Sequence, residues 1–76
     1  MKDLLEFIAR NLVDDPDAVK VTAIERSRGV ALELEVAPDD MGKVIGKRGR
    51  IARAIRTVVR AAGTIEDTNT SVEILG

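Results

Sequence analysis

The sequence has 76 residues and a formal net charge of −1, with no cysteine and no histidine. That length suits one domain, at the small end where folding buries only about 60% of the unfolded surface. The missing Cys and His exclude a disulfide framework, a zinc site and every Ser-His or Cys-His nucleophile.

The opening segment carries Asp3 and Glu6, which a signal peptide does not tolerate. No run reaches the ~18 apolar residues of a membrane span, so a cytoplasmic setting and no membrane partner are expected. Residues 1–13 have helical period: Leu4, Leu5, Ile8 and Leu12 share a face, with Glu6 and Arg10 opposite and Asp3 as the expected N-cap. Asp14-Asp15-Pro16-Asp17 ends this helix, because Pro16 disfavours helical geometry at Asp15. The acids lack the spacing of a calcium loop and read as a solvated turn.

Residues 19–37 read as a hairpin. Val19, Val21 and Ala23 alternate with Lys20 and Thr22, Ser27-Arg28-Gly29 turns the chain, and Val30, Leu32, Leu34 and Val36 alternate with polar or small residues. Pro38-Asp39-Asp40 breaks the strand and caps the next helix. Residues 40–62 are helical in composition but interrupted by Gly46-Lys47-Arg48-Gly49, so two helices around a tight turn are expected. In the second, Ile51, Ala52, Ile55, Val58, Val59 and Ala62 share one side, and Arg50, Arg53, Arg56 and Arg60 the other. Gly63 is the expected C′ residue. Thr64 to Thr70 form a polar connection, in which Asn69-Thr70-Ser71 matches a glycosylation pattern but reads as a turn. Residues 71–75 form a last strand. The fold class is therefore α+β in the order α-β-β-α-α-β. The hairpin and a helical crossover give a three-stranded mixed sheet, the last strand parallel to the second, with the helices packed on one face.

The net charge of −1 argues against a nucleic-acid partner until the charges are placed in order. Residues 1–40 carry −5, residues 41–65 carry +7 with no acid, and residues 66–76 carry −3. Such asymmetry points to a polyanion. The loop Gly46-Lys47-Arg48-Gly49 lies in the basic block. Its glycines let the main chain approach a phosphate without a Cβ in the way, and the helix after it presents unpaired N–H groups and a positive dipole end. Lys43 and Arg50 flank the loop and Arg53 lies one turn on. A bare G-x-x-G is weak, since an ordinary helix corner explains it. A basic face with no acid at i+3 or i+4 is poorly explained by helix stability, because like charges there repel. The Walker loop and the dinucleotide fingerprint both fail on spacing. No acid–base–nucleophile set converges, so no catalysis, cofactor or metal is expected.

Val44-Ile45-Gly46-Lys47-Arg48-Gly49, followed by Arg50-Ile51-Ala52-Arg53-Ala54-Ile55, resembles the core of a KH domain, and the element order resembles the type II, bacterial arrangement. With Val36 to Lys43 leading into the loop, the whole chain, 1–76, is similar to the small stand-alone bacterial KH proteins of the KhpA family. One position departs from the general KH pattern: Ala52 stands three after the second glycine, where many have isoleucine. The resemblance implies a clamp on about four nucleotides of single-stranded RNA. In it Gly46, Lys47, Arg48 and Gly49 hold phosphates, Lys43, Arg50 and Arg53 add attraction, and Ile45 and Ile55 offer apolar contact. It also implies a dimer, with itself or with a KhpB-like KH protein, and a role as RNA chaperone or post-transcriptional regulator, linked in some bacteria to the cell envelope and cell length. Two other readings compete: a protein-interaction module docking an acidic partner on the basic face, and single-stranded DNA binding. Phe7 is the only aromatic residue, so no stacking platform is expected.

Overall fold

In the computed structural model, which describes residues 1–75, the expected order is present. Gly76, the last residue of the expected 1–76 unit, lies outside the described residues. Helix α1 spans Lys2–Leu12, strands β1 and β2 span Lys20–Arg26 and Gly29–Glu35, helices α2 and α3 span Met41–Ile45 and Arg50–Ile65, and strand β3 spans Thr70–Leu75. Short 3-10 turns at Pro16–Ala18, Pro38–Asp40 and Lys47–Gly49 join them. The sheet order is β1-β2-β3. β1 runs antiparallel to β2, with Val21 opposite Leu34, and β2 runs parallel to β3, with Leu32 opposite Val72.

Alternation along the strands puts Val21, Leu32, Leu34 and Val72 on one face of the sheet. They pack with Leu5 and Ala9 of α1, Val44 of α2, and Ile55 and Val59 of α3. Each fully buried leucine or valine there contributes about 1.5–3 kcal/mol relative to exposure. The opposite face carries Glu33, Glu35 and Glu73, and water reaches it.

Several local expectations need correction. Met1, not Asp3, precedes the first helical turn, and Asp3 sits inside that turn, beside its positive end. α1 buries Leu5 and Ala9 most deeply, so its core-facing stripe is rotated from the expected one, and Leu4 and Ile8 fall at its margin. The hairpin turn is Ser27-Arg28 alone, with Gly29 paired to Arg26 as the first residue of β2. Gly29 is required by its neighbour: a Cβ there would run into the Asn69 carbonyl, which accepts the Val30 N–H at 2.8 Å. β2 ends at Glu35, so Val36 and Ala37 lie beyond it. Asp39 and Asp40 make no side-chain cap on α2.

Gly63 does not end α3. The helix continues to Ile65, and Gly63 is buried inside it. A Cβ at this position would meet the Thr70 hydroxyl at 2.5 Å and the Thr68 carbonyl at 2.7 Å, so the glycine lets the start of β3 cross close over the helix. That close crossing offsets the ~1 kcal/mol that a mid-helix glycine costs. Asp67, with φ of 56°, then turns the chain.

Candidate nucleic-acid interface

Each glycine of the loop answers a different need. Gly46 has φ of 74°, and a Cβ on it would meet Cγ1 of Ile51 at 2.5 Å, so backbone geometry and space both demand glycine. Gly49 has φ of 75° with open space around it, so geometry alone does. Its N–H donates to the Gly46 carbonyl at 3.1 Å and closes the turn. Between them Arg48 is also left-handed, at φ 57° and ψ 26°. A residue with a Cβ loses about 1–2 kcal/mol there. The guanidinium of Arg53 braces it, donating from Nη2 to the Arg48 carbonyl at 3.0 Å.

The tip is basic and its donors are free. Lys47, Arg48 and Arg50 are exposed and form no salt bridge among the described residues. Short bonds close the turn, from the Gly49 N–H to the Gly46 carbonyl and from the Arg50 N–H to the Lys47 carbonyl. The first turn of α3, which follows the tip, has no side-chain cap, and its positive dipole end adds to the basic charge.

The remaining expected site residues are placed differently. Lys43 is not an unpaired cation. Its Nζ lies 3.1 Å from Oδ2 of Asp14 and 4.0 Å from Oδ1 of Asp40, and the hydrogen bond and charge of Asp14 raise its pKa above the ordinary lysine value. Ile45, at the end of α2, is 36% exposed and open to contact. Ile55 is buried in the core and offers none. Ala52 is also buried, while Ile51 is half-buried under Gly46. Arg56, on the expected polar side of α3, is half-buried and donates from Nε to the Val72 carbonyl at 3.3 Å, tying helix to strand.

Two features escape sequence reasoning. One is Asp40, which is buried and turned toward the end of α1. The other is an open apolar groove of about 490 Å³ between α1 and α3, lined by Leu4, Phe7, Ile8, Ile51, Ala54 and Val58 among others. Phe7 and Val58 are 67% and 48% exposed there, and Ile65 extends the stripe beyond the groove. The helical period of both segments signals an apolar side, but it does not say how much of that side the partner helix covers.

Comparison with known proteins decides the family. The family described as KhpA/KhpB, KH domain, matches residues 2–74. The chain belongs to this KH-domain family. It is 57% identical over 75 residues to the RNA-binding protein KhpA of Clostridium acetobutylicum, covering 99% of this chain and 100% of that protein. It is 55% identical to RNA-binding protein KhpA of Clostridium perfringens, with the same coverage. To RNA-binding protein KhpA of Aquifex aeolicus it is 49% identical, over 99% of this chain and 95% of the relative. The loop at 46–49, with the sequence G-x-x-G, joins α2 to α3, and its Lys47 and Arg48 are exposed and form no salt bridge among the described residues. No helix among the described residues is long and apolar enough to cross a membrane.

Proposed function

We propose that the chain is an RNA-binding module, one KH unit, that grips the backbone of single-stranded RNA with the loop Gly46–Gly49. One observation carries this reading: two glycines with positive φ hold up a basic tip whose Lys47, Arg48 and Arg50 side chains are exposed and form no salt bridge among the described residues. A phosphate set against this tip meets cations carried on a backbone that is already ordered, so little entropy is lost in shaping the loop on binding. Lys47, Arg48 and Arg50 supply the charge, Arg53 keeps the tip in shape, Lys43 stands behind it, and Ile45 gives a base an apolar surface. The names of the relatives support RNA as the polymer.

With no stacking aromatic at the loop, one copy binds weakly, and association adds affinity by linkage. The apolar groove between α1 and α3 is the surface we assign to that association. Exposed apolar patches of this kind mark interaction sites, and one helical stripe per subunit is self-complementary about a two-fold axis. The occupant is a second copy or a KhpB-like KH protein. The corresponding role is that of a cytoplasmic RNA chaperone or post-transcriptional regulator, a binding protein rather than an enzyme.

The test is a titration of a labelled, unstructured RNA with the protein and with Lys47→Asp/Arg48→Asp, across a salt series. The protein is expected to bind with a slope of roughly −3 in log K against log salt, for about four phosphates. The variant should keep its circular dichroism and lose binding. Equal binding by the two forms removes the loop from the interface. A DNA strand of the same sequence and an acidic polypeptide, run alongside, separate the two competing ligands.

A further inference from the structure

Asp40 is the only charged residue buried among the described residues, at 2% exposure. Its position before α2 suggests a helix cap, yet it makes no side-chain cap bond. Instead Oδ1 accepts the N–H of Asp14 at 3.2 Å and Oδ2 accepts the N–H of Asp15 at 3.0 Å. Both carboxylate oxygens are committed to the connection that follows α1. Lys43, one turn further along, reaches back across the same place to Asp14 and Asp40.

This arrangement matters because α2, though packed against α3, is too short to set its own direction. A helix of five residues, Met41–Ile45, cannot sustain itself and takes its direction from tertiary anchors. Val44 anchors its middle in the core. Asp40 anchors its start, and the G-x-x-G loop leaves from its end. The buried contact at Val44 carries no directional preference of its own. Two charge-assisted hydrogen bonds from one planar carboxylate do, because they are directional and shorten the list of allowed orientations.

We infer that Asp40 is a positioning residue for the RNA-gripping loop, acting through α2, and that Lys43 serves this carboxylate pair rather than a phosphate. The inference rests on the proposed function and deepens it. It divides the basic block into cations that meet RNA, at 47, 48 and 50, and cations that set the loop, at 43 and 53.

The experiment compares the protein with Asp40→Asn, Asp40→Ala and a control, Val21→Ala, which weakens the core on β1 away from the loop. All are measured well below the unfolding transition of the weakest variant, with circular dichroism showing that they are folded. Two readouts are taken: affinity for a short unstructured RNA, and backbone amide spectra of residues 46–50. Asp40→Asn should bind RNA roughly tenfold more weakly than Val21→Ala, the cost of a lost charge-assisted hydrogen bond, with the loop amides shifted even without RNA. Asp40→Asn matching Val21→Ala in affinity, with unmoved loop amides, would overturn the inference. RNA failing to bind the unmodified protein would instead remove the proposed function, while the amide shifts still report on loop position.

Should neither Asp40 variant fold, Lys43→Met and Asp14→Asn carry the test, since both positions are solvent-exposed. Each should weaken RNA binding about twofold, as expected for an exposed pair, with the salt slope unchanged. If Lys43 contacts a phosphate, Lys43→Met instead makes the slope shallower by about 0.7, and Asp14→Asn tightens binding. Either of those results sinks the inference.

Discussion

Helix α3 has two exposed sides of opposite character. On one, Arg53, Arg56 and Arg60 run away from the basic loop. On the other, Ala54, Val58 and Ile65 continue the apolar groove shared with α1. The arginine side is braced: Arg53 is bonded to the loop carbonyl and Arg56 to β3. No described residue covers the apolar side, and Ile65 is 87% exposed. On the proposed function these bonds stiffen the frame behind the loop, while the cations that meet the polymer, at 47, 48 and 50, stay unpaired among the described residues. A surface for a second folded subunit can stay plain, because shape and apolar area do the selecting.

Substitutions on each side should separate these tasks. The largest effect belongs to Lys47→Asp/Arg48→Asp, which removes two charge-assisted contacts and should weaken RNA binding about a hundredfold while leaving the oligomeric state by light scattering unchanged. Next comes Val58→Asp on the apolar side. If the proposed dimer forms through this side, the variant should be a monomer in sedimentation and bind long RNA about tenfold more weakly through lost linkage, while affinity for a five-nucleotide RNA barely moves. A large loss on the short RNA too would mean that the two sides are not separable.

The two loop glycines sharpen the contrast further. Gly49→Ala faces only backbone strain and should cost about 1–2 kcal/mol in urea unfolding. Gly46→Ala meets that strain and Ile51 as well, so its cost should be larger by about 1–3 kcal/mol. Equal costs would show that Ile51 gives way. The smallest effect is that of pH. The raised pKa of Lys43 means that its contribution is complete below the unfolded value near 10.5 and fades only as pH rises through the still higher folded value. Its pairing with Asp14 is therefore constant from about pH 6 to 9, and unfolding midpoints of the protein and of Lys43→Met should keep the same separation across that window.

The sequence made the element order legible because each strand and helix has its own period and because the loop interrupts a helical run with two glycines. The parallel pairing of β2 and β3 followed from a crossover too long for a hairpin. What stayed hidden was contact between distant segments. Gly63 looked like a helix end because its reason, the passage of Thr68 and Thr70, lies outside its own helix. Asp40 looked like a cap because its true partners are the amides of Asp14 and Asp15. Within the site, charge order picked out 43, 47, 48, 50 and 53, but it counts charge without direction. It could not distinguish Lys47, which faces solvent, from Lys43, which faces an acid from the opposite charge block.

The register of β3 on β2 has a consequence for how this molecule comes into being. Val30 pairs with Thr70, and everything between β2 and β3 is the crossover that contains α2, the loop and α3. The hairpin of β1 and β2 can close early, from neighbours in the chain. The third strand can add only after the crossover has folded back, a non-local and slower event. The loop thus lies inside the segment whose return completes the sheet, framed by the two strands that pair in parallel.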